Sequence, residues 1–447
     1  MKPFQRAIRG RLFWFVEDPA ETGARAYRYL DDGLMLIRNG MITAIGEAIV
    51  LERQIGPGME VIETGPHLVM PGFIDAHLHF PQTQVIASHG ADLLDWLNRY
   101  TFIEEQRFAN PAHARKTARF FLDTLLSHGT TTAAVFGSVH PGATDAFFAE
   151  AERHNTRMIA GKVMMDRGAP AALLDTAQTS YDESLALIER WHGHGRLAYA
   201  ISPRFAITST PAQLDAAAAL HRAHPECYLQ THLAESRREI ETVAALYPEA
   251  ADYTDVYDRF GLLTERSLFG HAIHLDARER ARLAEAGSVA VHCPTSNLYL
   301  GSGLYDLAAA RAARQITALA TDIGAGTSYS MLQTLNEAYK VQKLVGGTLP
   351  PLEAFHAITL GNAEALNLAH LIGSFRPGRE ADFVVLDSAA TPAMAHRMER
   401  CQSIEDELFI LMTMGDDRAV KATYVMGERF VPEREGLAPP PAPGMAF

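Results

Sequence analysis

The stretch Phe73-Ile74-Asp75-Ala76-His77-Leu78-His79 decides how the rest of the chain is read. In an extended strand successive side chains point to opposite faces, so His77 and His79, two residues apart, present their imidazoles on one side. Two potential metal ligands thus share a face without a special loop. A chain with 19 histidines contains such a pair by chance, so the pair gains meaning only from partners elsewhere in the chain. His232, His271 and Asp322 are those partners, each at the end of a separate apolar run.

Those runs form a series. Strands are predicted over 72–77, 130–136, 158–165, 197–202, 228–232, 267–273, 288–292 and 316–322. Ala-rich helical stretches such as 211–223 and 277–286 separate them, with Pro or Gly where loops are needed. Eight strand–helix units predict a (β/α)8 TIM barrel, although periodicity alone leaves a doubly wound open sheet as an alternative. In a barrel, strand C-termini converge on one mouth, and His77, His79, His232, His271 and Asp322 all fall there.

The flanks read differently. Leu34 to Gly46 is two apolar runs around an Asn39-Gly40 turn, the signature of a hairpin. Strand-like runs return at 381–386 and 423–431. Both termini are expected to build one small β-sandwich domain, 1–66 with 376–447, around a catalytic barrel over 67–375. The Pro-rich stretch 436–444 reads as a tail.

With 447 residues, 47% of them hydrophobic and 21% charged, the chain has the composition of a globular enzyme. A formal charge of −13 disfavours a nucleic acid partner. The first residues are broken by charge too often for a secretory signal, and no apolar stretch approaches a bilayer span. Cys227, Cys293 and Cys401 are odd in number and far apart, which fits a reduced cytoplasmic protein. Without a C-x-x-C, a cysteine-clustered zinc is excluded.

Imidazoles with one carboxylate suit a borderline divalent ion, zinc first and iron second, better than magnesium or calcium. Such an ion lowers the pKa of bound water to about 7. Hydrolysis of an aminated ring then needs an acceptor for the water's second proton and a donor to a ring nitrogen and the departing amine. Asp322 suits the first task. Glu235, three residues beyond His232, suits the second.

Val69 to His79 resembles the first barrel strand of the amidohydrolase superfamily, and Gly373 to Asp387 its return to the small domain. Within it the chain is similar to the guanine deaminases, through His79-Phe80-Pro81-Gln82, Leu94 to Phe102, Pro203-Arg204-Phe205, His232-Leu233-Ala234-Glu235, His292 to Leu298, Thr321 to Gly324 and Gly415 to Arg418. The resemblance implies hydrolytic deamination of guanine to xanthine, with Gln82, Arg204 and Phe205 on the purine, and a homodimer. Guanine's O6 and N7 are neighbouring acceptors that match a guanidinium such as Arg204; Phe205 can stack, and Gln82 can meet a mixed edge.

Some relatives hold two metals through a lysine at the end of strand four. Here that segment reads Ala200-Ile201-Ser202-Pro203-Arg204, which favours one metal, and Lys162 is read as salt-bridging. The runner-up activity is attack on a pterin, triazine, cytosine or adenosine-like ring by the same apparatus; a third reading is an inactive scaffold. Trp96 to Phe102 is expected to pack under a long loop, His292 to be a hydrogen-bonded structural residue, and Asp416-Asp417-Arg418 an exposed turn.

Overall fold

The computed structural model describes residues 5–432, so the stretch 436–444 lies outside the described residues. Among the described residues, sixteen strands make two sheets. β1 (Gln5–Phe15), β2 (Tyr27–Arg38), β3 (Met41–Glu47) and β4 (Glu60–Pro71) come first. The barrel strands are β5 (Phe73–His79), β6 (Thr130–Phe136), β7 (Arg157–Gly161) with the short β8 (Val163–Met164), β9 (Ala198–Pro203), β10 (Tyr228–Leu233), β11 (Ser267–His271), β12 (Val289–His292) and β13 (Ile316–Leu319). The chain returns through β14 (Phe383–Leu386), β15 (Val420–Val425) and β16 (Glu428–Arg429).

The first sheet runs β16-β15-β14-β4-β1-β2-β3. Asn39 and Gly40, at φ 50° and 79°, make the turn between β2 and β3, and both conformations suit a two-residue hairpin whose twist matches its strands. The sheet is one continuous body that shares a core drawn from both its halves, including Ile8, Met35, Val69, Phe383 and Tyr424. β4 runs through position 66 to Pro71 as a member of this sheet before the chain enters β5.

The second sheet is parallel and ordered β5-β6-β7-β9-β10-β11-β12-β13. Two hydrogen bonds join its ends: Asp322 N donates to His77 O at 2.9 Å, and His79 N to Ile323 O at 2.5 Å. The cylinder is therefore closed, as the eight-unit count anticipates, and the open-sheet alternative fails. Leu78, Val135, Ile201 and Leu229 pack outward against helices carrying Phe121, Phe147 and Leu214, which buries the apolar stripe of each helix. The helix Pro211–Ala223 matches its predicted bounds, with the Thr210 side chain capping its N-terminus.

The two sheets are riveted by charge. Arg157 and Arg196, at the start of β7 and just before β9, both pair with Glu380, and Arg196 also pairs with Asp382. Burial opposes ionisation of Glu380, but Arg157 and Arg196 outweigh it and hold its pKa below the ordinary 4.5. A depressed carboxylate contributes stability that is present above its unfolded pKa and lost as pH falls through the folded value. Melting temperature should therefore drop as pH falls below 4.5, less steeply in Glu380→Gln than in the wild type. Parallel acid slopes for the two proteins would refute this.

Candidate active site

β5 delivers His77 and His79 to the barrel mouth, where β10 brings His232, β11 brings His271, and the turn after β13 brings Asp322. His77 Nε2 and His79 Nε2 each lie 3.5 Å from Asp322 Oδ1, and His271 Nε2 lies 3.7 Å from Oδ2. His232 Nε2 is 3.2 Å from His79 Nε2. The five residues, remote in the chain, thus meet in one cluster. Asp322 and His271 adopt left-handed backbone, φ 54° and 68°, as do Ala234 at 49° and Ala272 at 48°. Such conformations cost L-residues about 1–3 kcal/mol each and persist where a site requires a particular aim.

Second partners orient the rings. His232 Nδ1 donates to Arg204 O at 2.7 Å, and His271 Nδ1 to Asn297 Oδ1 at 2.8 Å, which leaves each Nε2 as a bare lone pair toward the cluster. Burial, then the mutual repulsion of the imidazoles, holds His77, His79 and His232 well below the usual histidine pKa, so they are neutral. His77 Nε2 and His79 Nδ1 are buried without a hydrogen-bond partner among the described residues. Neutral imidazoles turned toward a carboxylate, with His77 Nε2 unsatisfied among them while the His79 orphan lies on the far side of its ring, fit a divalent cation, since a buried acceptor left unpaired is otherwise costly.

Glu235 sits beside this cluster, its Oε2 3.4 Å from His271 Nε2 and its Oε1 accepting from Ser302 Oγ at 2.8 Å. Burial pushes its pKa up to about 7 against the opposing Ser302 bond, and burial likewise lifts Asp322 to about 7 with His271 opposing. A cavity opens next to these groups, lined by Gln82, Trp96, Arg204, Phe205, Glu235 and Asp322 among others. Arg204 is 3% exposed and its Nη1 donates to both oxygens of Glu105, at 2.9 and 2.8 Å. The same carboxylate accepts from Gln82 Nε2 at 3.0 Å.

The amidohydrolase family model matches residues 68–430, most of the chain. The chain belongs to the amidohydrolase family. Guanine deaminase of Escherichia coli is 49% identical over 432 residues, which is 96% of this chain and 98% of that protein. The solved Escherichia coli guanine deaminase superposes with a TM-score of 0.92 at 46% identity, covering 96% of this chain and 99% of the other. Guanine deaminase of C. acetobutylicum, solved with guanine bound in its active site, gives 0.85 at 26% identity over 96% and 100%.

Within this amidohydrolase several expectations change. β13 ends at Leu319, not Asp322, because the chain there leaves β12 for β5, Asp322 turning left-handed with its N–H on His77 O. His292 is fully buried and stacked on Tyr305 at 4.8 Å, but neither ring nitrogen has a partner among the described residues, so it is no hydrogen-bonded anchor. Burial drives its pKa down to about 3, which keeps it neutral. Cys293 lies among the donors of His77, His271 and Asp322, yet burial pushes its thiol far up and it points at Val291 O at 3.5 Å. Lys162 pairs with Asp175 and Glu183, as its sequence context implies, and Asp416 with Arg418 in an exposed turn.

Sequence reasoning missed Glu105, Asn297 and Ser302. Asn297 lies inside the His292 to Leu298 motif and could have been found there; Ser302 carries no signal. Trp96 is buried, as packing demands, but it and Leu97 also line the cavity.

Gly270 shows how tightly the cluster is built. A Cβ there would meet His77 Cε1 at 2.5 Å. Gly270→Ala should turn the His77 ring away and weaken affinity for a divalent cation by roughly 10- to 100-fold, the usual effect of disturbing a ligand's support. Competition with a chromogenic chelator measures it, and unchanged affinity would refute the placement.

Proposed function

We propose that the chain hydrolyses guanine to xanthine and ammonia, water adding at C2 as the amine leaves. The observation that carries this reading is that Arg204 and Gln82 line one cavity with His79, His232, His271 and Asp322 of the cluster, in a chain 49% identical to a guanine deaminase. Arg204 Nε and Nη2 are uncommitted among the described residues, a parallel donor pair for the adjacent O6 and N7 acceptors. Phe205 offers its ring face to the purine, and Gln82 meets the adjoining edge.

His77, His79, His232, His271 and Asp322 would hold one divalent cation, zinc by the softness of the donors. When bound, that ion supplies acidification of a water near neutral pH. The protein's own groups do the rest. Asp322 accepts the water's second proton. Glu235, whose elevated pKa lets it carry a proton near neutrality, passes the water's first proton to a ring nitrogen and then, recharged with the proton held by Asp322, protonates the departing amine. The apolar walls at Trp96 and Leu97 exclude bulk water.

The working protein is read as a cytoplasmic homodimer of chains each divided into a barrel and a β domain built from both flanks, with the entry boundary at Pro71, where β4 ends, in place of the expected 66. Unpaired Cys227, Cys293 and Cys401 support a reducing compartment, and no helix among the described residues is long and apolar enough to cross a membrane. A panel of aminated heterocycles, assayed for ammonia with metal quantified on the same sample, tests the activity. Guanine should dominate. Metal-loaded protein that spares guanine while consuming another ring would overturn the assignment.

A further inference from the structure

Glu105 ends the short helix Phe102–Glu105, which continues directly from the π-helical turn Leu97–Thr101. It is 1% exposed and is not part of the cavity wall, yet it holds both side chains assigned to the ring edge. Gln82 is gripped from two sides: its Nε2 donates to Glu105 Oε1, and its Oε1 accepts from Gly324 N at 3.3 Å. Reversing that amide would set oxygen against carboxylate and NH2 against N–H, so one orientation survives. Arg204 spends Nη1 on Glu105 and rests its guanidinium carbon 5.6 Å from the centre of the Phe102 ring. Its remaining donors, Nε and Nη2, therefore have a fixed direction.

We propose that Glu105 is a positioning residue that sets discrimination between 6-oxo and 6-amino rings; the proposal rests on the ring-edge role of Arg204 in the proposed function. A 6-oxo purine offers acceptors at both O6 and N7. A 6-amino purine sets N–H against the guanidinium, and a buried donor then goes unpaired, which is how polar sites reject near-isosteres. Rejection is only as sharp as the guanidinium is immobile. A free arginine side chain has many rotamers with which to relieve the clash. The Glu105 carboxylate and the Phe102 face remove them.

Binding of hypoxanthine (6-oxo) and adenine (6-amino) to zinc-loaded protein tests this by calorimetry, independently of turnover. In Glu105→Gln the preference for hypoxanthine should fall about tenfold or more, the discrimination that one oriented polar contact supplies. Zinc content should stay the same. Glu105→Gln leaves Arg204 buried beside a neutral amide and destabilises the fold. Glu105→Asp keeps the charge but withdraws it by one methylene, so it carries the test where the first variant does not fold, with a several-fold loss of preference expected. In an Arg204→Gln background, adding Glu105→Gln should leave the preference within about twofold, because the contact at the 6-position runs through the guanidinium alone, while Gln82 meets the adjoining edge. Wild-type preference in a folded Glu105 variant, or a further change in the double variant, overturns the assignment. A wild type that prefers hypoxanthine through Glu105 but releases no ammonia from guanine would instead refute the proposed activity and leave Glu105 standing.

Discussion

Replacing Asp322 by Asn should reduce ammonia release from guanine by about 10⁴-fold, the upper end of what a positioned proton acceptor contributes. The effect is large because the one carboxylate does two things. It stands within 3.5 to 3.7 Å of three imidazole nitrogens, so it contributes the negative charge of the donor set. It also faces the cavity, where the proposed reaction uses it as the acceptor for the water's proton. Asparagine keeps the shape and loses both properties, so zinc content should fall together with the rate. An Asp322→Asn protein that retains full zinc and more than a tenth of the wild-type rate would show that another group takes the proton.

Glu235→Gln should behave differently, and the difference separates the two carboxyl groups. Its Oε1 is tied to Ser302 and its Oε2 lies beside His271, so the isosteric amide keeps the packing while losing the proton. We expect kcat to fall by about 10³-fold with zinc occupancy unchanged, within the range for a general acid. Mass spectrometry of the native protein gives the occupancy and steady-state kinetics the rate. Loss of zinc in this variant would make Glu235 a ligand and not a proton carrier.

Much of this site could be read from the chain, for a physical reason. Strand periodicity fixes which residues share a face, so the pairing of His77 with His79 follows from pattern alone, whereas the convergence of His232, His271 and Asp322 follows only once the barrel is closed. Gln82, Arg204 and Phe205 line the cavity as expected, but the partner of Arg204 was hidden. Glu105 follows a π-helical turn whose extra residue breaks the 3.6 period, and it meets Arg204 across 99 positions of sequence. Periodic reasoning has no means to join them. An ion pair is the ordinary fate of an arginine, and Arg204 has one, but its burial changes the meaning from solubility to aim. His292 misled in the opposite sense, since its place at the end of β12 gave no sign that Tyr305 would cover it and leave both nitrogens without partners.

The seam between β5 and the segment after β13 is made by the backbone of His77, His79, Asp322 and Ile323, and three of those four residues also carry cluster side chains. A cation held by these side chains would consequently also pin the circle shut. A nascent chain emerging from the ribosome exposes four of its histidines long before the acidic partner is translated, and it cannot assemble the pocket until the last barrel strand docks on the first. Retention of a cation by the five donors would thus report that the whole ring has been completed.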